Sequence, residues 1–216
     1  MPSPKAVVLE SLDAPTAALV RLSARITGGS EESVREGLAE CRSGSVPEVW
    51  VEELVLQSYL FAGFPRALNA AREWRRANGN NGPEVFHDEG RVSDPQLDSW
   101  RRRGEETCAT VYGAMYEKLR GNIRGLHPLL DEWMIVEGYG KVLSREGLDL
   151  PRRELCIVAA CVAAQQDRQL HSHLHGSLNA GVSPAAVTAA LSALDGVVPA
   201  AALESATLLW ARVKGK

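Results

Sequence analysis

Residues 165–181 read QQDRQLHSHLHGSLNAG, and whether this stretch is helix or strand decides what its three histidines can do. At 100° per residue, a helix over 168–180 gathers Leu170, Leu174 and Leu178 into an arc of about 80°, a buried stripe. His173 then lies about 60° to one side of Leu170, beside Ser177 and Gln166. His171 and His175 form an i, i+4 pair beyond the other side of the stripe, roughly 160–200° from His173. As a strand, the stretch would carry all three rings on one face, but its flanks are rich in alanine and glycine and poor in β-branched residues. The helical reading keeps the three rings from converging on one ion. No H-E-x-x-H pattern offers another zinc site, so no metal is expected, and His171 and His175 read as exposed or interface residues. His173 borders the core, where desolvation can tune an imidazole for proton transfer, and where a structural hydrogen bond is the alternative.

Outward from this stretch the punctuation is that of stacked helices. Gly181 closes one helix, Ser183-Pro184 opens the next and Asp195-Gly196 ends it. Helices are expected over 100–120, 128–142, 151–165, 168–180, 184–194 and 199–213. The region 15–77 is helical too, broken at Gly28-Gly29-Ser30, at Ser43–Pro47 and at Gly63-Phe64-Pro65, with Ser30 or Ser45 as caps. Between the halves, NGNNGPEVFHDEGRVSDP (78–95) has almost no apolar periodicity and reads as a linker or surface loop. An ungapped comparison at an offset of 137 lays GSVP (44–47) over GVSP (181–184), so an internal repeat is expected: a unit at 15–77 and a second at 96–213.

The whole chain agrees with an all-α fold. Its 216 residues suffice for a substantial core; 6% aromatic content and abundant alanine suit closely packed helices better than sheets. A net charge of -3 without long single-sign blocks argues against nucleic acid, and the basic clusters Arg72–Arg76 and Arg101–Arg103 read as solvated faces. No apolar run approaches the roughly 18 residues of a membrane span, and the N-terminus lacks the layout of a secretory signal. A cytoplasmic protein is expected. Cys41, Cys108, Cys156 and Cys161 form no C-x-x-C pair and read as buried, reduced thiols.

LDLPRRELCIVAACVAA followed by QLHSHLHGSLNAGVSPAAV resembles the carboxymuconolactone decarboxylase and AhpD-like superfamily. Its members carry R-E-L at one helix start and H-x-x-x-A-x-x-x-G on the next; here these are Arg153-Glu154-Leu155 and His173, Ser177 and Gly181, with serine where alanine is frequent. LHPLLDEWMIVEGYGKVLSREGLDL (126–150) is similar to the helix and loop before R-E-L in the decarboxylase branch. EELVLQSYLFAGFPRALNAAREW (52–74) is similar to a segment that follows the histidine helix in that branch, yet it lies upstream here. The resemblance therefore implies two AhpD-like units in tandem, the first degenerate, since Ala17 and Glu36 stand at 137 residues before Glu154 and His173.

That resemblance implies a cofactor-independent carboxy-lyase acting on a small carboxylated or lactone metabolite, of the kind met in aromatic compound degradation, with His173 as general acid and Glu154 orienting it. Gln166 and Gln169 occupy the positions of the redox cysteines of the alkylhydroperoxidase branch, so thiol peroxidase activity is not expected. Both could bind substrate, as could Arg153, Arg152 or Arg145 on a carboxylate, with Tyr139 lining the pocket. The family also implies a homo-oligomer, a trimer or hexamer-like ring. The rival expectation is a catalytically inactive helical scaffold or small-ligand binding protein.

Overall fold

The computed structural model describes residues 7–78 and 94–215, and all regular elements among them are helical. Four helices make the first half: α1 (Ala14–Gly28), α2 (Glu31–Ser43), α3 (Glu48–Ala62) and α4 (Phe64–Ala77). Their limits follow from cap chemistry. The Asp13 carboxylate accepts from the Thr16 N–H at 2.7 Å, and the Ser30 hydroxyl accepts from the Ser33 N–H at 3.2 Å, each satisfying a donor that a helix start leaves unpaired. Gly63, at φ 80°, separates α3 from α4 in a conformation that side chains disfavour. Residues 79–93 of the expected linker lie outside the described residues.

The second half runs through α5 (Asp94–Tyr112), a 3₁₀ turn (Gly113–Met115), α6 (Tyr116–Leu126), α7 (Pro128–Trp133) and a π-helical stretch (Met134–Leu143). It continues with α8 (Leu150–Ala163), α9 (Asp167–Asn179), α10 (Pro184–Ser192) and α11 (Ala200–Lys214). Two elements differ from the sequence expectation. The helix expected over 100–120 breaks at Gly113, whose φ of 52° turns the chain out of α geometry. The helix expected over 128–142 widens into π turns where it meets α5. There a Cβ at 104 would lie 2.1 Å from the Ile135 carbonyl oxygen, and one at 140 would lie 2.0 Å from that of Trp100. Only two glycines allow backbones so close.

The halves share a spacing. Helices α1 to α4 start at 14, 31, 48 and 64, and α8 to α11 start at 150, 167, 184 and 200, a constant difference of 136. The sequence offset of 137 is thus one residue long, an error that a match on GSVP alone could not reveal. At 136, Ala18 and Gly37 correspond to Glu154 and His173, so the first half has neither acid nor imidazole there. Each first helix also opens D-x-P, with Asp13 and Asp149 as caps.

Helices α1 and α8 pack on each other, and the Ser23 hydroxyl donates to the Cys156 carbonyl at 2.7 Å across the contact. One core cluster joins α5, the π stretch and α8–α11; a second fills α1–α4 and is closed by Leu148 and Cys156 from the other half. Near the N-terminus, the Leu9 N–H donates to the Gly181 carbonyl at 3.0 Å, and the Ser183 N–H to that of Leu9 at 2.9 Å. This ties residues 7–12 to the α9–α10 turn.

Candidate functional site

Helix α8 starts at the Asp149 cap, whose carboxylate accepts from the Arg152 N–H at 3.0 Å, and Arg153, Glu154 and Leu155 follow with no exposed surface. Two adjacent buried charges each need a partner. Because successive helical residues point about 100° apart, they find different ones. Arg153 turns to α3 and donates to Glu53 Oε2 at 2.7 Å and Gln57 Oε1 at 3.2 Å, and to the carbonyls of Leu148 and Arg145. Glu154 turns to α9, where its Oε2 lies 2.8 Å from Nδ1 of His173.

The imidazole of His173 is 5% exposed at the residue level, and Glu154 is fully enclosed. Gly176, one turn on, makes room for the pair: a Cβ there would fall 2.7 Å from Glu154 Oε2 and 2.6 Å from Val111 Cγ1. The other carboxylate oxygen, Oε1, is buried without a hydrogen-bond partner among the described residues. A buried acceptor left unpaired is uncommon and calls for a water, a proton or a bound donor.

Aromatic rings surround the pair. Phe61, from the end of α3, presents its edge to the His173 ring at 5.8 Å between centroids and 84°. Tyr139, on the π stretch, and Tyr112, at the end of α5, meet edge to face at 6.3 Å. Burial, aided by the nearby Glu154 carboxylate, pushes the Tyr112 hydroxyl up to about 12 and that of Tyr139 well above its usual 10. Both stay protonated at neutral pH, so each hydroxyl keeps a proton it can donate.

Of the residues singled out in the sequence, the structure brings together Glu154, His173 and Tyr139. Arg153 is held elsewhere: wholly buried and engaged by Glu53 and backbone carbonyls, it has no surface with which to clamp a substrate carboxylate, and it joins α8 to α3 instead. Gln166, the residue before α9, and Gln169, on its first turn, are exposed, and the Gln166 amide donates to the Ala164 carbonyl. His171 and His175 sit on the outer face with ring centroids 4.9 Å apart; among the described residues no group of three or more metal-ligating side chains converges. Three neighbours of the pair were missed. Gly176 left a signal, since an isolated glycine within a helix costs about 1 kcal/mol against alanine and marks a close approach. Tyr112 and Phe61 left none, because only the packing of α3 and α5 brings them to α9.

The thiols contribute no nucleophile near neutral pH: burial pushes Cys41, Cys108 and Cys161 up to about 12, and Cys156 higher still. A cavity of about 620 Å³ lies apart from the pair, between α5 and the loop before α8, with Trp50, Arg103, Ser144 and Leu148 among its walls.

The geometry of a carboxylate-held imidazole beside an R-E-L helix start coincides with the family comparison. Residues 132–212 match the carboxymuconolactone decarboxylase family. The matched segment contains Tyr139, Glu154, His173 and Gly176, and the all-helical fold is consistent with that superfamily. Among curated proteins the chain is similar to peroxisomal protein 2 of Schizosaccharomyces pombe, 31% identical over 142 residues, which are 65% of this chain and 64% of that one. It is also similar to peroxisomal protein 2 of Saccharomyces cerevisiae, 25% identical over 159 residues, covering 63% and 56%. The chain thus spans less than two thirds of the length of either relative.

Proposed function

We propose that Glu154 and His173 form the acid/base centre of a cofactor-independent carboxy-lyase that acts on a small carboxylated or lactone metabolite. The observation that supports this reading is the buried Glu154–His173 contact at 2.8 Å. With Nδ1 directed at the carboxylate, the working atom of the ring is Nε2. Glu154 compensates the positive charge that the ring carries when Nε2 holds a proton. In the reaction, the bond from carbon to the departing carboxylate breaks and its electron pair moves onto a conjugated carbonyl of the substrate. Nε2 then delivers its proton to carbon, and solvent restores it. The hydroxyls of Tyr112 and Tyr139 supply donors near the pair for the transient oxyanion, and Gln169, one turn before His173, can meet the substrate carboxylate.

The test is a screen of purified protein against lactones and aromatic-degradation acids, read by release of carbon dioxide, with His173→Gln as the control. Release that is equal in the variant rejects the centre. The 620 Å³ cavity, which touches neither Glu154 nor His173, favours a second reading, a helical scaffold that binds a small ligand there. Under that reading, ligands bind equally to wild type and to His173→Gln.

The matched helix starts support a tandem origin, with the first unit having lost its acid/base pair. No described helix is long and apolar enough to cross a membrane. Both relatives are named as peroxisomal proteins, which sets a peroxisome against the cytoplasm expected from sequence. Imaging a tagged chain against a peroxisomal marker decides between them.

A further inference from the structure

The spacing of 136 brings two grooves into correspondence. One lies between α3 and α4 and another between α10 and α11, of about 300 and 290 Å³. In each, a buried tryptophan ties the two helices together: the Trp74 indole N–H donates to Glu52 Oε1 at 2.6 Å, and the Trp210 indole N–H to Thr188 Oγ1 at 2.9 Å. Donor and acceptor of the second groove both stand 136 residues after those of the first. The frame repeats, but the lining does not. The first groove presents Leu56, Tyr59, Phe64 and Leu68, with Phe64 64% and Leu68 52% exposed. The chain has Ser192, Asp195, Ala200 and Glu204 at the corresponding positions of the second. Since α10 and α11 pack without large apolar groups there, packing does not require them on α3 and α4. An exposed apolar cluster that the fold does not need marks a contact surface.

Charge at the groove narrows what can fill it. Glu52, Glu53, Arg75 and Arg145 line it. Arg75 answers Glu52, with Nη2 donating to Oε2 at 2.6 Å. Glu53 is shared: it accepts from the buried Arg153 at 2.7 Å and from Arg145 at 3.1 Å, so one carboxylate serves two guanidiniums and a positive charge is left over. That charge is accessible on Arg145, whose side chain is 38% exposed. Arg145 uses Nε and Nη2 for Glu53, and no hydrogen bond among the described residues engages its Nη1. Neighbouring charges do not reverse the sign. The other charges of α3 and α4 are Glu48 and Glu73 against Arg66, Arg72 and Arg76. Glu137, near Tyr59, is paired with Lys141 at 3.3 Å, and Glu146 lines the 620 Å³ cavity instead. In the second groove Ala189 and Ala211 stand for Glu53 and Arg75, so these charges are not part of the repeated frame.

We propose that the α3–α4 groove binds an apolar monocarboxylic acid, with its carboxylate on Arg145 and its hydrocarbon along Leu56, Tyr59, Phe64 and Leu68. The volume of about 300 Å³ is at the small end of ligand pockets, which are mostly apolar with a few polar groups that fix orientation. Arg145 Nη1 supplies a charge-assisted hydrogen bond to the acid. Tyr59 and Phe64, stacked at 4.9 Å between centroids, give its hydrocarbon a rigid wall. Neither Glu154 nor His173 lines the groove, so this site is separate from the acid/base centre and does not rest on it.

Titration of the full chain with 2-naphthoate and with decanoate, followed by amide NMR, tests this. Both acids should shift the signals of α3, α4 and Arg145, with Kd below about 1 mM. At neutral pH 2-naphthol, the same ring system without the charge, should bind about tenfold more weakly, because the charge-assisted bond is lost. Arg145→Gln should weaken both acids about tenfold and leave 2-naphthol unchanged. Leu68→Glu, which gives the first groove the residue that the second has at 204, should weaken all three probes about tenfold with an unchanged melting curve. If it melts early, Phe64→Ala, which copies Ala200, replaces it with the same expectation. No binding, equal binding of 2-naphthoate and 2-naphthol, shifts confined to other helices, or acid binding indifferent to these substitutions overturns the proposal. So does light scattering in which Leu68→Glu turns a multimer into a monomer while the acids bind as before, since the apolar face then belongs to a protein contact.

Discussion

Replacing Gly176 by alanine offers a sharp test of how the Glu154–His173 pair is held. The new Cβ would fall 2.7 Å from Glu154 Oε2 and 2.6 Å from Val111 Cγ1. Ordinary van der Waals contact begins near 3.4 Å, so the carboxylate must retreat by about 0.7 Å and the valine by about 0.8 Å, in a core that packs at crystal-like density. Neither can do so freely, because Glu154 and Val111 are at most 1% exposed and sit on different helices. Overpacking of this kind costs about 1–3 kcal/mol, while alanine gains about 1 kcal/mol in helix propensity. The net expectation is a loss of up to about 2 kcal/mol, with the Glu154–His173 contact stretched from 2.8 Å toward the limit of a hydrogen bond. Gly121 provides the internal comparison: it lies on exposed α6, a Cβ there meets nothing within 4 Å, and Gly121→Ala should stabilise by up to about 1 kcal/mol. Urea denaturation gives both values, and nitrogen NMR of the His173 ring reports the Nδ1 hydrogen bond. If Gly176→Ala proves as stabilising as Gly121→Ala and leaves the ring signal unchanged, the packing argument is wrong.

Three further outcomes are expected. His173→Gln should abolish turnover of any substrate found in the screen while shifting the melting temperature by only a few degrees, and His171→Gln should leave both nearly unchanged; comparable losses in the two variants would separate catalysis from this pair. Glu53→Ala strips the buried Arg153 guanidinium of its carboxylate and should cost roughly 3–5 kcal/mol in urea denaturation, whereas an effect below about 1 kcal/mol would show that the carbonyls of Leu148 and Arg145 suffice. The Arg120 hydrogen bond holds the Asp131 carboxyl below its ordinary 3.8, so Asp131, which joins α7 to Arg120 and Arg124 of α6, adds stability that is fully present above that value and is lost as pH falls through the lower folded one; helical content and Trp133 emission should show α6 loosening from α7 in that acid window, and Asp131→Asn should remove the dependence at a cost of about 2 kcal/mol at neutral pH.

The sequence by itself determined what depends on local spacing. Leu170 and Leu174, with the half-buried Leu178, fix the core-facing side of α9 and so put His173 at the core's edge, with His171 and His175 outside it. Ser30 and Ser183 fix helix starts because a cap acts within three residues, whereas Ser45, at φ 53°, does not cap α3. The offset of 137 read from the sequence also falls within one residue of the difference between the helix starts of α1–α4 and α8–α11. Whatever depended on contacts between distant elements was not. R-E-L presents two adjacent charges as equals, and only the packing of α3 and α9 on opposite sides of α8 decided that Arg153 would be sealed by Glu53 while Glu154 took His173. The π turns at 134–143 arise where Gly104 and Gly140 let two backbones touch, a coincidence that neither segment records alone. Phe61 reaches the imidazole, and Tyr112 comes near the Glu154 carboxylate, only because α3 and α5 end beside α9. A helical period sets which way a side chain points, but what it meets there is set by the neighbour that the rest of the chain delivers.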